Sequence, residues 1–270
     1  MRKRNGFLLL MFMLLAWSCG TDEERKERTV FLAGDSTVAD YSKYADYMEK
    51  RYPMTGWGQR LPEFLVADSL DQVRQWFPSD SVKVDNHAIG GRSTKTFFQE
   101  GRWRALVEAV QPGDLVLIQF GHNDASANKP ERFTAPDAYQ EYLRLFVTQT
   151  RERGGIPILV TPVTGNHKWN EDLQMYNQHG DYPAKMKELA QELKVALIDL
   201  NELSMKAFTP VGPDSLGPKY FMNLEPGVYA GYPEGRTDNT HFNMSGAQVV
   251  AQLVFDVLKT LQLPGQIPEN

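Results

Sequence analysis

The sequence is short of cysteine. Its single thiol, Cys19, stands near the N-terminus, so no disulfide can staple the fold, and the chain must hold itself together by burying apolar surface. With 41% apolar residues in 270, and no internal repeat, it can build one large core, which favours one sizeable domain over two small ones. Positive charge is also scarce. Twenty-nine Lys and Arg against 34 Asp and Glu leave a formal charge of -5, which argues against nucleic acid as a partner because phosphate binding calls for a basic surface. No His-x-x-x-His or comparable spacing is present, so a metal site built from His122, Asp238 and His241 has no support, and neither metal nor cofactor is expected. The Gly-x-Ser-x-Gly elbow is absent too: two positions after Ser36 stands Val38, which disfavours the α/β-hydrolase fold.

What is present begins with an export signal. Met1-Arg2-Lys3-Arg4 precedes an apolar run from Phe7 to Trp17, too short to span a bilayer as a mature helix, and Ser18-Cys19-Gly20 supplies a small-residue boundary. Leu15-Ala16-Trp17-Ser18-Cys19 resembles a bacterial lipoprotein signal, which implies that residues 1–18 are removed and that Cys19 is lipidated. The expected product is an exported membrane lipoprotein. Loss of three basic residues leaves 26 basic against 34 acidic, a formal charge of -8. Residues 19–28 carry charges without an apolar period and read as a solvated tether, with the domain proper at 29–270.

Five apolar runs follow, each rich in β-branched residues and closed by glycine or polar residues: Val30-Phe31-Leu32-Ala33, residues 82–88, 114–120, 156–160 and 195–200. Between them, helical periodicity runs from Trp57 to Leu65, from Trp103 to Val110, from Pro136 to Arg153 and from Tyr182 to Leu193. Strands alternating with helices at this spacing give an α/β class, a single three-layer α/β/α domain with a five-stranded parallel sheet. Residues 204–239, rich in Gly, Pro and aromatics, give no regular assignment. A last helix over 243–261 is expected, capped by Asn243 or Ser245.

Polar clusters stand where these strands end, which is where open α/β sheets bind ligands. Gly34-Asp35-Ser36-Thr37 follows the first strand, Ile89-Gly90-Gly91-Arg92-Ser93 the second, and Gly121-His122-Asn123-Asp124 the third. Before the last helix comes Thr237-Asp238-Asn239-Thr240-His241-Phe242. An Asp three residues ahead of a His can reach Nδ1 and fix the tautomer, leaving the imidazole free to serve a serine.

In this order and at these places the four segments resemble the SGNH (GDSL-like) hydrolases over nearly all of residues 29–262. Residues 33–37, Gly91-Arg92-Ser93, Phe120 to Asp124 and Asp238 to Phe242 are most similar to rhamnogalacturonan acetylesterases. The resemblance implies a flavodoxin-like fold with Ser36 as nucleophile, His241 as general base and Asp238 as its orienting partner. It also implies an oxyanion hole made by the N–H groups of Ser36 and Gly91 and the side-chain amide of Asn123, with Gly90 the alternative to Gly91. Asp35 and His122 read as structural members of their loops, and Asp124 has no evident part.

The activity that the resemblance implies is removal of O-acetyl groups from an acetylated plant cell-wall polysaccharide, rhamnogalacturonan first. An SGNH esterase on another acylated glycan, lipid or thioester, or a lipoprotein that only binds glycans, are the alternatives. Trp57 and Arg92 are the expected substrate-binding residues. A uronate-containing backbone is anionic, so Arg92, Arg236, Lys43 or Lys168 would have to hold it against a negative background.

Overall fold

A computed structural model describes residues 27–79 and 81–262. The signal, Cys19 and most of the tether lie outside the described residues. Five strands, β1 (Arg28–Gly34), β2 (Val82–Asn86), β3 (Leu115–Gln119), β4 (Ile156–Val160) and β5 (Ala196–Ile198), form one parallel sheet in the order β2-β1-β3-β4-β5. β1 begins at Arg28, which pairs with Val82, so the domain takes in the last residue expected in the tether.

The alternation of side chains along each strand divides the core in two. On one face Val30, Leu32, Leu115, Leu117, Ile158 and Val160 pack with Trp57, Trp76, Phe208, Phe221 and the buried stripe Val250, Val254 and Leu258 of helix Met244–Thr260. On the other, Phe31, Ala33, Val116, Ile118 and Leu159 meet Phe97, Trp103, Leu143, Phe146 and Met186 from helices Thr94–Gln99, Arg102–Ala109, Pro136–Glu152 and Tyr182–Glu192. β3 is buried along its whole length because both faces are covered, which is why it reads as an unbroken apolar run.

One expectation needed revision, and two that were left open are resolved. The helix expected from Trp57 to Leu65 is one α-turn, Trp57–Arg60, followed by a 3-10 turn, Leu61–Phe64. Pro62 has no N–H to continue the α-helical ladder. The stretch left without assignment holds most of helix Leu200–Phe208, capped by Asp199, and helix Pro213–Tyr220. Of the two candidate caps of the last helix, Asn243 serves, its side chain accepting from Gly246 N at 3.0 Å. No helix among the described residues is long and apolar enough to cross a membrane.

Candidate active site

Parallel register brings the ends of β1, β2 and β3 to one edge: Gly34 pairs with Gln119, and Leu32 with Asn86. At Gly34 the chain turns back on itself. Val38 N and Ala39 N donate to Asp35 O at 3.2 and 3.1 Å, and Asp35 Oδ1 accepts from Thr37 N and Oγ1 at 2.9 and 2.8 Å. A Cβ on Gly34 would stand 2.6 Å from Val38 Cγ2 and 3.0 Å from Gln119 O, so only glycine fits under this turn. Ser36 sits at its apex, 6% exposed, with its carbonyl held by the Tyr41 hydroxyl at 3.1 Å. Ser36 Oγ makes no hydrogen bond to His241 or to any other described residue.

β2 runs on beside β1 past its own end: His87 N donates to Leu32 O and Ile89 N to Gly34 O, which sets the double glycine against Ser36. A Cβ on Gly90 would lie 3.6 Å from Ser36 Cβ. Gly91 has φ +82°, a left-handed conformation that favours glycine. Asn123, 5% exposed, donates from Nδ2 to Arg92 O at 2.9 Å, tying the loop after β3 to this turn. Gly121 N, Thr94 N and Thr94 Oγ1 all donate to the buried Asp124 carboxylate at 3.1, 3.0 and 2.6 Å, which gives Asp124 its part: it braces the loop that carries Asn123. Burial pushes its carboxyl up to about 7 against the hydrogen bonds of Thr94 and Thr134.

The fourth segment is built around Asp238. Its Oδ1 accepts from Thr240 N and His241 N at 2.9 and 3.0 Å, and its Oδ2 faces His241 Nδ1 at 2.7 Å and the Arg236 guanidinium. Burial alone would raise the Asp238 carboxyl, but hydrogen bonds from the His241 side chain, His241 N and Thr240 N, with the charge of His241, outweigh it and hold the group well below the usual carboxylate range. An ionised carboxylate only accepts, so His241 Nδ1 carries the hydrogen, and Nε2 presents a lone pair whenever the imidazole is neutral. Phe242, 1% exposed against Phe221, anchors the segment in the core.

A short piece of chain joins the two halves. Trp57 N donates to Thr37 O at 2.8 Å and Thr55 N to Phe242 O at 2.9 Å, so the residue after Ser36 and the residue after His241 are fixed to positions two apart. Asp35, beside Ser36, feels the charge of His241: burial raises its carboxyl, and Thr37, His179 and His241 oppose the rise.

Two more histidines stand here that sequence reasoning missed. His167 Nε2 lies 2.9 Å from Thr240 Oγ1, and His179 Nε2 donates to Val163 O at 2.9 Å with its ring 5.0 Å from that of His122. Both lie on the long connection after β4, which has no strand-end motif to flag it. Burial pulls His122 down to about 4 and His179 to about 3, so both are neutral near pH 7. Among the described residues no cluster of three or more His, Cys, Asp or Glu is arranged to hold a metal.

Of the two substrate-binding expectations, the one for Trp57 needs correction. Trp57 is 0% exposed in the core, its Nε1 donating to Gln119 Oε1 at 2.8 Å, so its ring offers no face to a sugar. Arg92 is committed to Glu100, at 3.0 Å, and to Gly90 O, at 2.9 Å.

Residues 32–249 match the GDSL-like Lipase/Acylhydrolase family. A rhamnogalacturonan acetylesterase of Bacillus subtilis (strain 168) is 38% identical over 89% of this chain and 93% of its own, and one of Emericella nidulans is 27% identical over 83% and 82%. Among solved structures, the Bacillus subtilis protein YxiM aligns with TM-score 0.69 and 28% identity over 87% of this chain, which spans 57% of that longer one. An acetylxylan esterase of Geobacillus stearothermophilus, at TM-score 0.57, 20% identity and 86% and 94% coverage, shares the fold. The chain belongs to the GDSL-like lipase/acylhydrolase family and is a serine esterase.

Proposed function

We propose that the protein removes O-acetyl groups from an acidic plant polysaccharide of the rhamnogalacturonan type by acyl transfer through Ser36. The observation that carries the reading is the Asp238–His241 pair, 2.7 Å apart, on a segment fixed through residues 55–57 to the turn that presents Ser36. Similarity to rhamnogalacturonan acetylesterases over most of the chain supports the substrate class.

In the first step Ser36 Oγ attacks the acetyl carbonyl carbon while His241 Nε2 takes the hydroxyl proton. The C=O electrons move onto oxygen, where the N–H groups of Ser36 and Gly91 and the Asn123 amide stabilise the charge. Neither N–H donates to a described protein group, so both are available. The sugar oxygen departs with the proton from His241, leaving acetyl-Ser36. Water, deprotonated by His241, attacks this ester, and acetate leaves as Ser36 Oγ regains its proton. The proton transfer requires a Ser36 Oγ–His241 Nε2 hydrogen bond, which forms as substrate fills the site, since such bonds tighten in the reacting complex.

Acetate release from acetylated rhamnogalacturonan and from acetylated xylan tests the reading. Faster release from rhamnogalacturonan, abolished in Ser36→Ala, is expected, whereas equal rates on the two polymers would remove the substrate assignment. Export and anchoring through lipid on Cys19 complete the proposal, supported by the signal at residues 1–19.

A further inference from the structure

An anionic substrate on an acidic protein needs a cation near the reacting ester, and three of the four cations that the sequence suggests are already engaged, while Lys168 is exposed on the connection after β4. Arg92 pairs with Glu100, Arg236 with Asp238, and Lys43 Nζ donates to Asn86 O at 3.0 Å. Arg132, which no sequence motif marks, is placed differently. Its guanidinium stands over the glycine turn: Nη1 would lie 3.3 Å from a Cβ on Gly91, and it reaches Gly91 O at 3.5 Å, a long contact. No carboxylate among the described residues lies within ion-pair distance of it, and its buried Nε has no acceptor. The cation is close enough to His122 to help lower that imidazole's proton affinity.

Its backbone is fixed. Arg132 N and Phe133 N donate to Lys129 O at 3.1 and 2.9 Å, Thr134 N to Asp124 O at 3.1 Å, and Lys95 Nζ grips Phe133 O at 2.7 Å. The same Asp124 braces Asn123, so Arg132 and the amide assigned to the oxyanion share one support. An unpaired, half-buried guanidinium with an unsatisfied donor is costly unless something supplies an acceptor, and the described residues supply none beyond Gly91 O.

We propose that Arg132 binds the carboxylate of a uronic acid residue next to the acetylated sugar and so sets the preference for acidic over neutral polysaccharide. The proposal rests on the acetylesterase reading above and deepens it. A planar guanidinium meets a carboxylate with two charge-assisted hydrogen bonds, whereas the hydroxymethyl group of a neutral hexose offers only weaker, uncharged ones. Placed at Gly91, the cation would orient the substrate as well as attract it.

The test compares wild type, Arg132→Gln and Arg132→Lys in hydrolysis of 4-nitrophenyl acetate, a neutral ester. The competitors are unacetylated rhamnogalacturonan oligosaccharide and the same oligosaccharide with its carboxyls reduced to alcohols. The acidic competitor should inhibit wild type, and Arg132→Gln should raise its inhibition constant about ten- to a hundredfold, the worth of a hydrogen bond to a charged group. Arg132→Lys should fall between, keeping the charge but not the fork. Any effect of Arg132→Gln on 4-nitrophenyl acetate turnover should be at least about tenfold smaller than its effect on the acidic inhibitor.

Equal inhibition of wild type and Arg132→Gln would overturn the proposal. So would a reduced competitor that binds wild type as tightly as the acidic one, or an equal loss on the neutral ester, which would make Arg132 a brace for Gly91. These readouts require no acetate release from a polysaccharide, so failure of the acetylesterase reading would show separately, as acetylated oligosaccharide that binds but is not deacetylated.

Discussion

At the scale of single residues, the assignment most open to a structural alternative is Asn123, whose Nδ2 already donates one hydrogen to Arg92 O. The second hydrogen remains for the oxyanion. Asn123→Ala should therefore lower kcat by roughly 10²- to 10³-fold with KM little changed, because the interaction strengthens in the transition state. Melting temperature and kcat measured on one preparation separate this from a brace: a folded variant within about threefold of wild-type kcat would strike Asn123 from the oxyanion hole. Ser36, Asp238, His241 and Asn123 were legible because each stands in a short polar cluster at a strand or helix end. The place of Arg132 and the pairing of Arg236 with Asp238 were not, and Trp57 was misread as substrate-binding. A lone arginine in a loop carries no pattern, and the indole that looked like a sugar platform is buried because Gln119, inside an otherwise apolar strand, gives its N–H an acceptor.

That glutamine belongs to the scale of elements. Trp57 Nε1 donates to Gln119 Oε1 at 2.8 Å, and Gln119 Nε2 to Thr37 Oγ1 at 2.6 Å, so a buried polar chain ties the end of β3 to the Ser36 turn and the first helical turn. Gln119→Leu leaves Trp57 Nε1 buried without an acceptor, at about 1–3 kcal/mol, while Thr37 Oγ1 loses one donor and keeps its bond to Asp35. A loss of about 1–3 kcal/mol is expected in urea unfolding, with kcat reduced as the turn loosens. A variant as stable as wild type would mean that the chain does not hold the turn. The five strands and the long helices were legible from periodicity, since a sheet covered on both faces demands apolar runs. The helix expected from Trp57 was misjudged because apolar spacing does not register the N–H that Pro62 lacks. Residues 204–239 stayed unread because their local signals are caps and prolines rather than a repeating stripe.

For the molecule as a whole, the buried histidines make stability depend on pH. His179 is held near 3 in the folded chain and titrates near 6.5 when unfolded, so between these values the unfolded state binds the additional proton and stability falls as pH drops below 6.5. At pH 5 this single group costs about 2 kcal/mol. Asp124 acts the other way, since its raised carboxyl binds a proton in the folded state from about 7 downward. His179→Gln removes the first contribution while leaving a side-chain amide to serve Val163 O. It should lower the melting temperature at pH 7 but show a smaller fall than wild type between pH 7 and pH 5, and parallel curves would rule out the assignment. Anchoring is tested on the same scale. Cys19→Ser should move the active enzyme from the membrane to the soluble fraction, because stable attachment requires a multiply acylated cysteine, and unchanged fractionation would refute the lipoprotein reading.

The central claim is that one serine, served by His241 and Asp238, carries the acyl group. Labelling with the serine-directed organophosphate diethyl 4-nitrophenyl phosphate, read by peptide mass, tests it most directly. The account expects one diethylphosphoryl adduct, on the peptide containing Ser36, formed in step with loss of acetate release and missing from folded Ser36→Ala. An adduct on another residue that tracks inactivation, or acetate release that persists in folded Ser36→Ala, would contradict it.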